Sequence, residues 1–154
     1  MPRAEIAEEY FRKGYNCAQS VAMAFADLTG LSEKESARMA SSFGGGLGRM
    51  REVCGAVSGM ALVAGILYGY DDPGVLGASA KHYALVQELA GKFRDANGSV
   101  VCRELLGDRT KVTATPEPRT AEYYKKRPCA ELVRMAASIL EEYVETHGDR
   151  NEAL

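Results

Sequence analysis

Four cysteines, Cys17, Cys54, Cys102 and Cys129, are the side chains of this protein best equipped for chemistry. A deprotonated cysteine is both a nucleophile and a soft metal ligand. Successive cysteines are 37, 48 and 27 residues apart, so no CxxC pair exists. That spacing argues against a zinc ribbon and against a thioredoxin-type motif. Any shared site must be assembled by the fold from four distant segments. Four thiolates brought together in this way could hold an iron–sulfur cluster or a tetrahedral zinc ion. Without a metal they could form redox dithiol pairs. The plain alternative is that each is a small core hydrophobe.

Position along the chain favours the chemical reading. Cys17 follows Asn16, a natural N-cap, and Cys54 heads an uncharged run. Cys102 comes three residues after Ser99, and Cys129 follows Pro128. Each therefore falls in or near the first turn of an expected helix. The free N–H groups and positive dipole end of a helix favour an anion there, and so favour the thiolate.

A second candidate is the glycine-rich stretch Gly44-Gly45-Gly46-Leu47-Gly48, followed by Arg49 and Arg51. Its backbone, chiefly at Gly45, Gly46 and Gly48 with the Arg49 side chain, could cradle an anionic cofactor. It is not a P-loop, because no Gly-Lys-Ser/Thr follows. A close-packed tight turn is the favoured reading of the same glycines. His82 and His147 are too few and too far apart for a histidine metal site. His82 stays a spare ligand candidate, and His147 is expected to be solvated. Tyr123-Tyr124-Lys125-Lys126-Arg127 reads as a solvated basic surface, and Met39, Met50, Met60 and Met135 as core filler.

The elements that must position these residues are helical throughout. A chain of 154 residues with a net charge of −2 fits one domain, residues 1–154, with no bulk basic signal for nucleic acid. The N-terminus lacks an apolar signal-peptide core, so a cytoplasmic site with reduced thiols is the default expectation. Eighteen uncharged residues, Val53 to Tyr70, raise the question of a membrane span. Four glycines and Ser58 within the run make it a buried helix instead.

Helical spacing predicts a first helix over Ala4 to Lys13, burying Ile6, Tyr10 and Phe11 and ended by Gly14. A second runs from Cys17 to Gly30 with Val21, Phe25 and Leu28 inward. Ser32 and Glu35 form a capping box for a third, with Ala37, Met39 and Ala40 inward. The central helix follows the glycine turn and is stopped by Asp71-Asp72-Pro73-Gly74. Its Gly55/Gly59 and Gly65/Gly69 pairs permit close approach of a neighbouring helix, and a homodimer is among the arrangements this allows. A fifth helix, Gly77 to Asp95, carries Tyr83, Val86, Leu89, Ala90 and Phe93 inward. Ser99 caps a short helix containing Cys102, and Asp108 to Arg119 is an ordered surface loop. The last helix, Cys129 to Thr146, buries Leu132, Val133, Ala136, Ile139, Leu140 and Tyr143, and Asn151 to Leu154 are expected to fray. The reading is an all-α, compact single-domain bundle of about six helices around a central, glycine-rich buried helix.

Several segments together resemble a known family. They are Gly14-Tyr15-Asn16-Cys17-Ala18-Gln19-Ser20-Val21, Phe43-Gly44-Gly45-Gly46-Leu47-Gly48-Arg49-Met50, Cys54-Gly55-Ala56-Val57-Ser58-Gly59, Cys102-Arg103-Glu104-Leu105-Leu106-Gly107, and Cys129 with Val133 and Ala136-Ala137. The combination resembles, over residues 5 to 145, the family described as "putative redox-active proteins" and named for the pattern C…GCAxxG…C…C. The resemblance implies a small helical protein whose four cysteines do redox chemistry or hold a metal or iron–sulfur centre. A more distant likeness to the cluster-bearing part of certain multi-domain cytochromes points the same way. With no CxxCH, c-type haem is not expected.

The family label puts glycine before cysteine, whereas here Cys54 precedes Gly55. One residue of displacement turns a helical side chain by about 100°, so the direction of Cys54 is a specific point for the structure to decide. The expected function is electron transfer or redox sensing with a redox partner of unspecified identity, the thiolate charge offset by Arg49, Arg51 and Arg103. The alternative is a non-catalytic zinc-binding structural or carrier module.

Overall fold

The computed structural model describes residues 1–107 and 111–148. The fraying expected for Asn151 to Leu154 and the first three residues of the Asp108–Arg119 loop lie outside them. The described residues form nine α-helices: α1 (Arg3–Arg12), α2 (Cys17–Met23), α3 (Ala26–Thr29), α4 (Glu33–Ala40), α5 (Gly55–Tyr68), α6 (Ala78–Asn97), α7 (Cys102–Leu106), α8 (Ala121–Lys126) and α9 (Cys129–His147). A 3-10 turn, Ser41–Phe43, extends α4. The all-α expectation holds, with more and shorter helices than the six expected.

The centre is α5. None of its residues is exposed, and it touches α2, α6 and α9. It spans Gly55–Tyr68 only, so Val53 and Cys54 stand before it rather than inside it. No helix among the described residues is long and apolar enough to cross a membrane.

Gly55 and Gly59 explain the packing of α5 on α2. A Cβ on Gly59 would stand 2.7 Å from the Ala18 carbonyl oxygen, and one on Gly55 3.2 Å from the Ala18 nitrogen. The second pair does not serve this purpose. Gly65 has open space beside it, and Gly69 ends α5 against the carbonyl of Gly65.

Around α5 the other helices close a single core. α9 buries Leu132, Val133, Ala136, Ala137, Ile139 and Leu140, while Tyr143 is half-buried. α1 lies along α9 through Ala4, Ala7 and Phe11. Ile6 and Tyr10, expected inside, are half-buried, because the small alanines let the two helices approach on the neighbouring stripe. α6 inserts Leu89 and Phe93 but leaves Tyr83 exposed.

The segment expected to be one helix from Cys17 to Gly30 breaks at Ala24–Phe25, where the chain bends and fully buries Phe25. On α4, Ser36 and Ala40 are buried, with Ala37 and Met39 at the margin. Among the four methionines read as filler, Met60 is in the core, whereas Met50 and Met135 are exposed.

Candidate functional site

Local chemistry fixes each cysteine. Cys17 opens α2 behind a full capping box. The Asn16 side chain accepts from the Gln19 N–H at 2.9 Å, and the Gln19 side chain accepts from the Asn16 N–H at 3.0 Å. The Asn16 amide also donates to the Ser41 carbonyl at 3.1 Å, tying the start of α2 to the 3-10 turn. Cys129 is the first residue of α9, directly after Pro128.

Cys54 and Cys102 are set by an antiparallel bridge between Val53 and Val101. Across it the Cys54 N–H donates to the Val100 carbonyl at 2.8 Å, and the Cys102 N–H to the Glu52 carbonyl at 2.6 Å. The bridge thereby delivers two cysteines side by side, one to the N-cap of α5 and the other to the first turn of α7. Ser99 is not the cap of α7. Its hydroxyl accepts from the Val101 N–H and donates to Glu104, and Val101 holds the N-cap position.

The glycine-rich turn is a tight coil. Gly45, Gly46, Leu47, Gly48, Arg49 and Arg51 all have positive φ. The N–H groups from Leu47 through Glu52 each donate to a carbonyl between Ser42 and Leu47. Those amides are thus engaged inside the turn. Gly46 sits against the α7 cysteine, since a Cβ there would stand 2.8 Å from the Cβ of Cys102. The coil turns the Arg49 and Arg51 side chains inward and leaves Leu47 and Met50 outside.

All four cysteines line one cavity of about 160 Å³, Cys54 among them despite its reversed order with Gly55. Four arginines, Arg49, Arg51, Arg119 and Arg127, line it too, with Glu117 as the carboxylate. Of the residues considered for an anionic cofactor, Gly45, Gly46 and Arg49 are in this lining and Gly48 is not. Arg103 is exposed, bonded to the Arg51 carbonyl and paired with Glu52. His82 lies elsewhere, its ring edge-on to Tyr70, and His147 is exposed and stacked on Tyr143.

Three site residues escaped the reading of the sequence. Arg119 donates to the carbonyls of Phe11 (2.8 Å) and Tyr15 (3.0 Å) and lies 4.2 Å over the Phe11 ring. Tyr123 and Arg127, read as solvated surface, face the cavity from α8 and its C-cap. Arg127 is 9% exposed and paired with Glu117. The Thr120 cap, whose side chain accepts from the Tyr123 N–H, was the signal for α8.

Proton affinities divide the four sulfurs. Contact with the Cys17 thiol, with help from Arg127, Arg119 and Arg51, lowers Cys129 to about 7 against the cost of burial. The same contact, together with burial, holds Cys17 well above the ordinary thiol range. Burial pushes Cys54 up to about 12 although the Ala56 and Val57 N–H groups favour its thiolate. Burial also raises Cys102, offset in part by Arg51, whose guanidinium is 3.7 Å from the sulfur. Thus the lowering at Cys129 comes from Cys17 and the arginines rather than from its helix start, and at Cys54, where helix-start amides do favour the thiolate, burial outweighs them. Among the described residues no three His, Cys, Asp or Glu side chains are grouped so as to hold a single metal ion. No disulfide joins the cysteines.

A family model described as "C_GCAxxG_C_C: Putative redox-active protein" matches residues 15–143. The chain belongs to this family. The match includes all four cysteines and leaves α1 outside, a shorter span than residues 5 to 145. No curated protein and no solved structure matches the C_GCAxxG_C_C chain.

Proposed function

We propose that Cys17, Cys54, Cys102 and Cys129 work as one redox centre, serving electron transfer or redox sensing. The observation that carries this reading is the single cavity lined by all four sulfur-bearing residues and four arginines. Apolar packing alone would give four separate positions in the core, with no reason to surround them with guanidinium groups.

An iron–sulfur cluster fits the donor set, because such clusters are held by four cysteine thiolates. A single tetrahedral zinc needs its ligand sulfurs roughly 3.8 Å apart, given Zn–S bonds of about 2.3 Å. No three potential ligands among the described residues form such a group. When bound, the cluster supplies one-electron transfer. The chain supplies the thiolates from the starts of α2, α5, α7 and α9, counter-charge from Arg51 and its neighbours, and burial that keeps water out.

The Cys17–Cys129 contact favours a second, metal-free reading. There the two side chains form a couple: two thiols give one S–S bond, releasing two protons and passing two electrons to an acceptor. The acceptor is a disulfide of the redox partner: the Cys129 thiolate attacks it and releases one partner thiolate, and Cys17, losing its proton, then attacks the Cys129 sulfur and releases the other. Iron and acid-labile sulfide analysis of anaerobically purified protein, with its visible spectrum, tests the choice. A cluster gives colour with both elements present. A zinc carrier is colourless and contains zinc, whereas a dithiol couple is colourless and metal-free but takes up two electrons reversibly. Replacing all four cysteines by serine abolishes each signal if the centre is real.

A further inference from the structure

We infer that in its thiol form the cysteine cavity binds a small inorganic oxyanion, with Arg51 as the anchoring cation. This rests on the cavity being the working site, as proposed above, and names what it accepts when the sulfurs hold no metal.

The charges around the cavity do not balance. Four guanidinium groups face it together with one carboxylate, Glu117. Arg127 and Arg49 both reach Glu117, and Arg49 also donates to the carbonyls of Thr113 and Thr115. Arg119 is occupied with the carbonyls of Phe11 and Tyr15. Arg51 differs. It is 4% exposed and has no carboxylate partner among the described residues. Its contacts are the Lys111 carbonyl at 3.1 Å and the Cys102 sulfur at 3.7 Å.

A buried charge is stable only when it is paired and hydrogen-bonded. Among the described residues the Arg51 guanidinium meets one carbonyl and one sulfur, and no carboxylate balances its charge. Even a full thiolate at Cys129 leaves the lining positive. Moreover, Arg51 holds a φ of +63°. Such strain at a residue other than glycine persists where the surroundings over-determine it, commonly at ligand sites. Here it aims the guanidinium into the cavity.

Room is sufficient. One water needs on the order of 15 Å³, and the cavity offers about 160 Å³. A tetrahedral oxyanion suits this space, because a guanidinium presents a planar fork of donors to paired oxygens.

The test follows alkylation of Cys129 by iodoacetamide, read by mass spectrometry, on reduced, metal-free, full-length protein. Sulfate is the probe, at constant ionic strength maintained with chloride. The expected result is a saturable, several-fold slowing by sulfate, absent in Arg51→Gln and partly kept in Arg51→Lys. Circular dichroism checks that the variants fold. If Arg51→Gln does not fold, the wild-type saturation and the Arg51→Lys midpoint carry the result. No sulfate effect in the wild type, or an equal effect in a folded Arg51→Gln, overturns the inference. Neither outcome bears on the redox centre, which is decided separately by iron, sulfide and electron uptake.

Discussion

Cys17 and Cys129 line one cavity and each shifts the other's proton affinity, although 111 residues of chain separate them. Two helix starts meet there, α2 behind its Asn16 cap and α9 behind Pro128. The contact makes the two sulfurs unequal. The Cys129 thiol is lowered to about 7, whereas Cys17 and Cys54 are pushed well above the ordinary thiol range. In reduced, metal-free protein, Cys129 alkylation should rise with a midpoint near pH 7, the other three reacting only at higher pH. In Cys17→Ala the leading cause of that low value is gone, so the midpoint moves upward. Mass-spectrometric peptide mapping across pH 5 to 10 checks both statements.

Stability should carry the same inequality. Cys129 has a folded value below its unfolded one of about 9, so its contribution grows as pH rises from 7 to 9 and is full above that. Cys17, Cys54 and Cys102 have raised folded values, so their contributions are full below about pH 9 and are lost above it. These four groups together place maximum stability of the reduced, metal-free chain near pH 9, with a fall beyond. Urea midpoints at pH 7, 9 and 10.5 measure it. Cys54→Ala should flatten the alkaline fall.

Gly46 and Gly48 have similar backbone conformations but different surroundings. Both have positive φ, yet a Cβ on Gly48 meets nothing within 4 Å. On Gly46 it would press on the Glu52 nitrogen at 2.6 Å and the Cys102 Cβ at 2.8 Å. Gly48→Ala should cost only the left-handed penalty, about 1–2 kcal/mol. Gly46→Ala adds overpacking of about 1–3 kcal/mol and displaces Cys102. Urea denaturation gives the energies, and the Cys102 alkylation rate reports the displacement.

The Asn16 side chain does two things at once, capping α2 by accepting from the Gln19 N–H and donating to the Ser41 carbonyl. Asn16→Ala should destabilise by about 0.5–2 kcal/mol and speed modification of Cys17. Asn16→Asp keeps the acceptor but loses the donor to Ser41, so it should restore the cap and most of the stability. Thermal melts of the three proteins, with Cys17 labelling rates, provide the comparison.

Local signals were the readable ones. Asn16 and Ser32 mark helix starts because their side chains bond amides three residues away, and both caps are present. The α9 stripe was readable because its apolar spacing matches one helical face. The Val53–Val101 bridge was not, since nothing within either segment specifies a partner 48 residues distant. Likewise, Arg119 resembles any loop arginine until the carbonyls of Phe11 and Tyr15 are folded around it. The break at Ala24–Phe25 carries no glycine or proline. It comes from the gain in burying Phe25, a tertiary effect. The family resemblance identified the four cysteines as a set, and the folded chain places them on one cavity.

An anaerobic electrochemical titration of the wild type and of each single cysteine-to-serine variant tests the central claim most directly. A shared centre predicts reversible electron uptake by the wild type, with its potential or stoichiometry altered by substitution at each of Cys17, Cys54, Cys102 and Cys129. No uptake by the wild type, or uptake unchanged in all four variants, would contradict it.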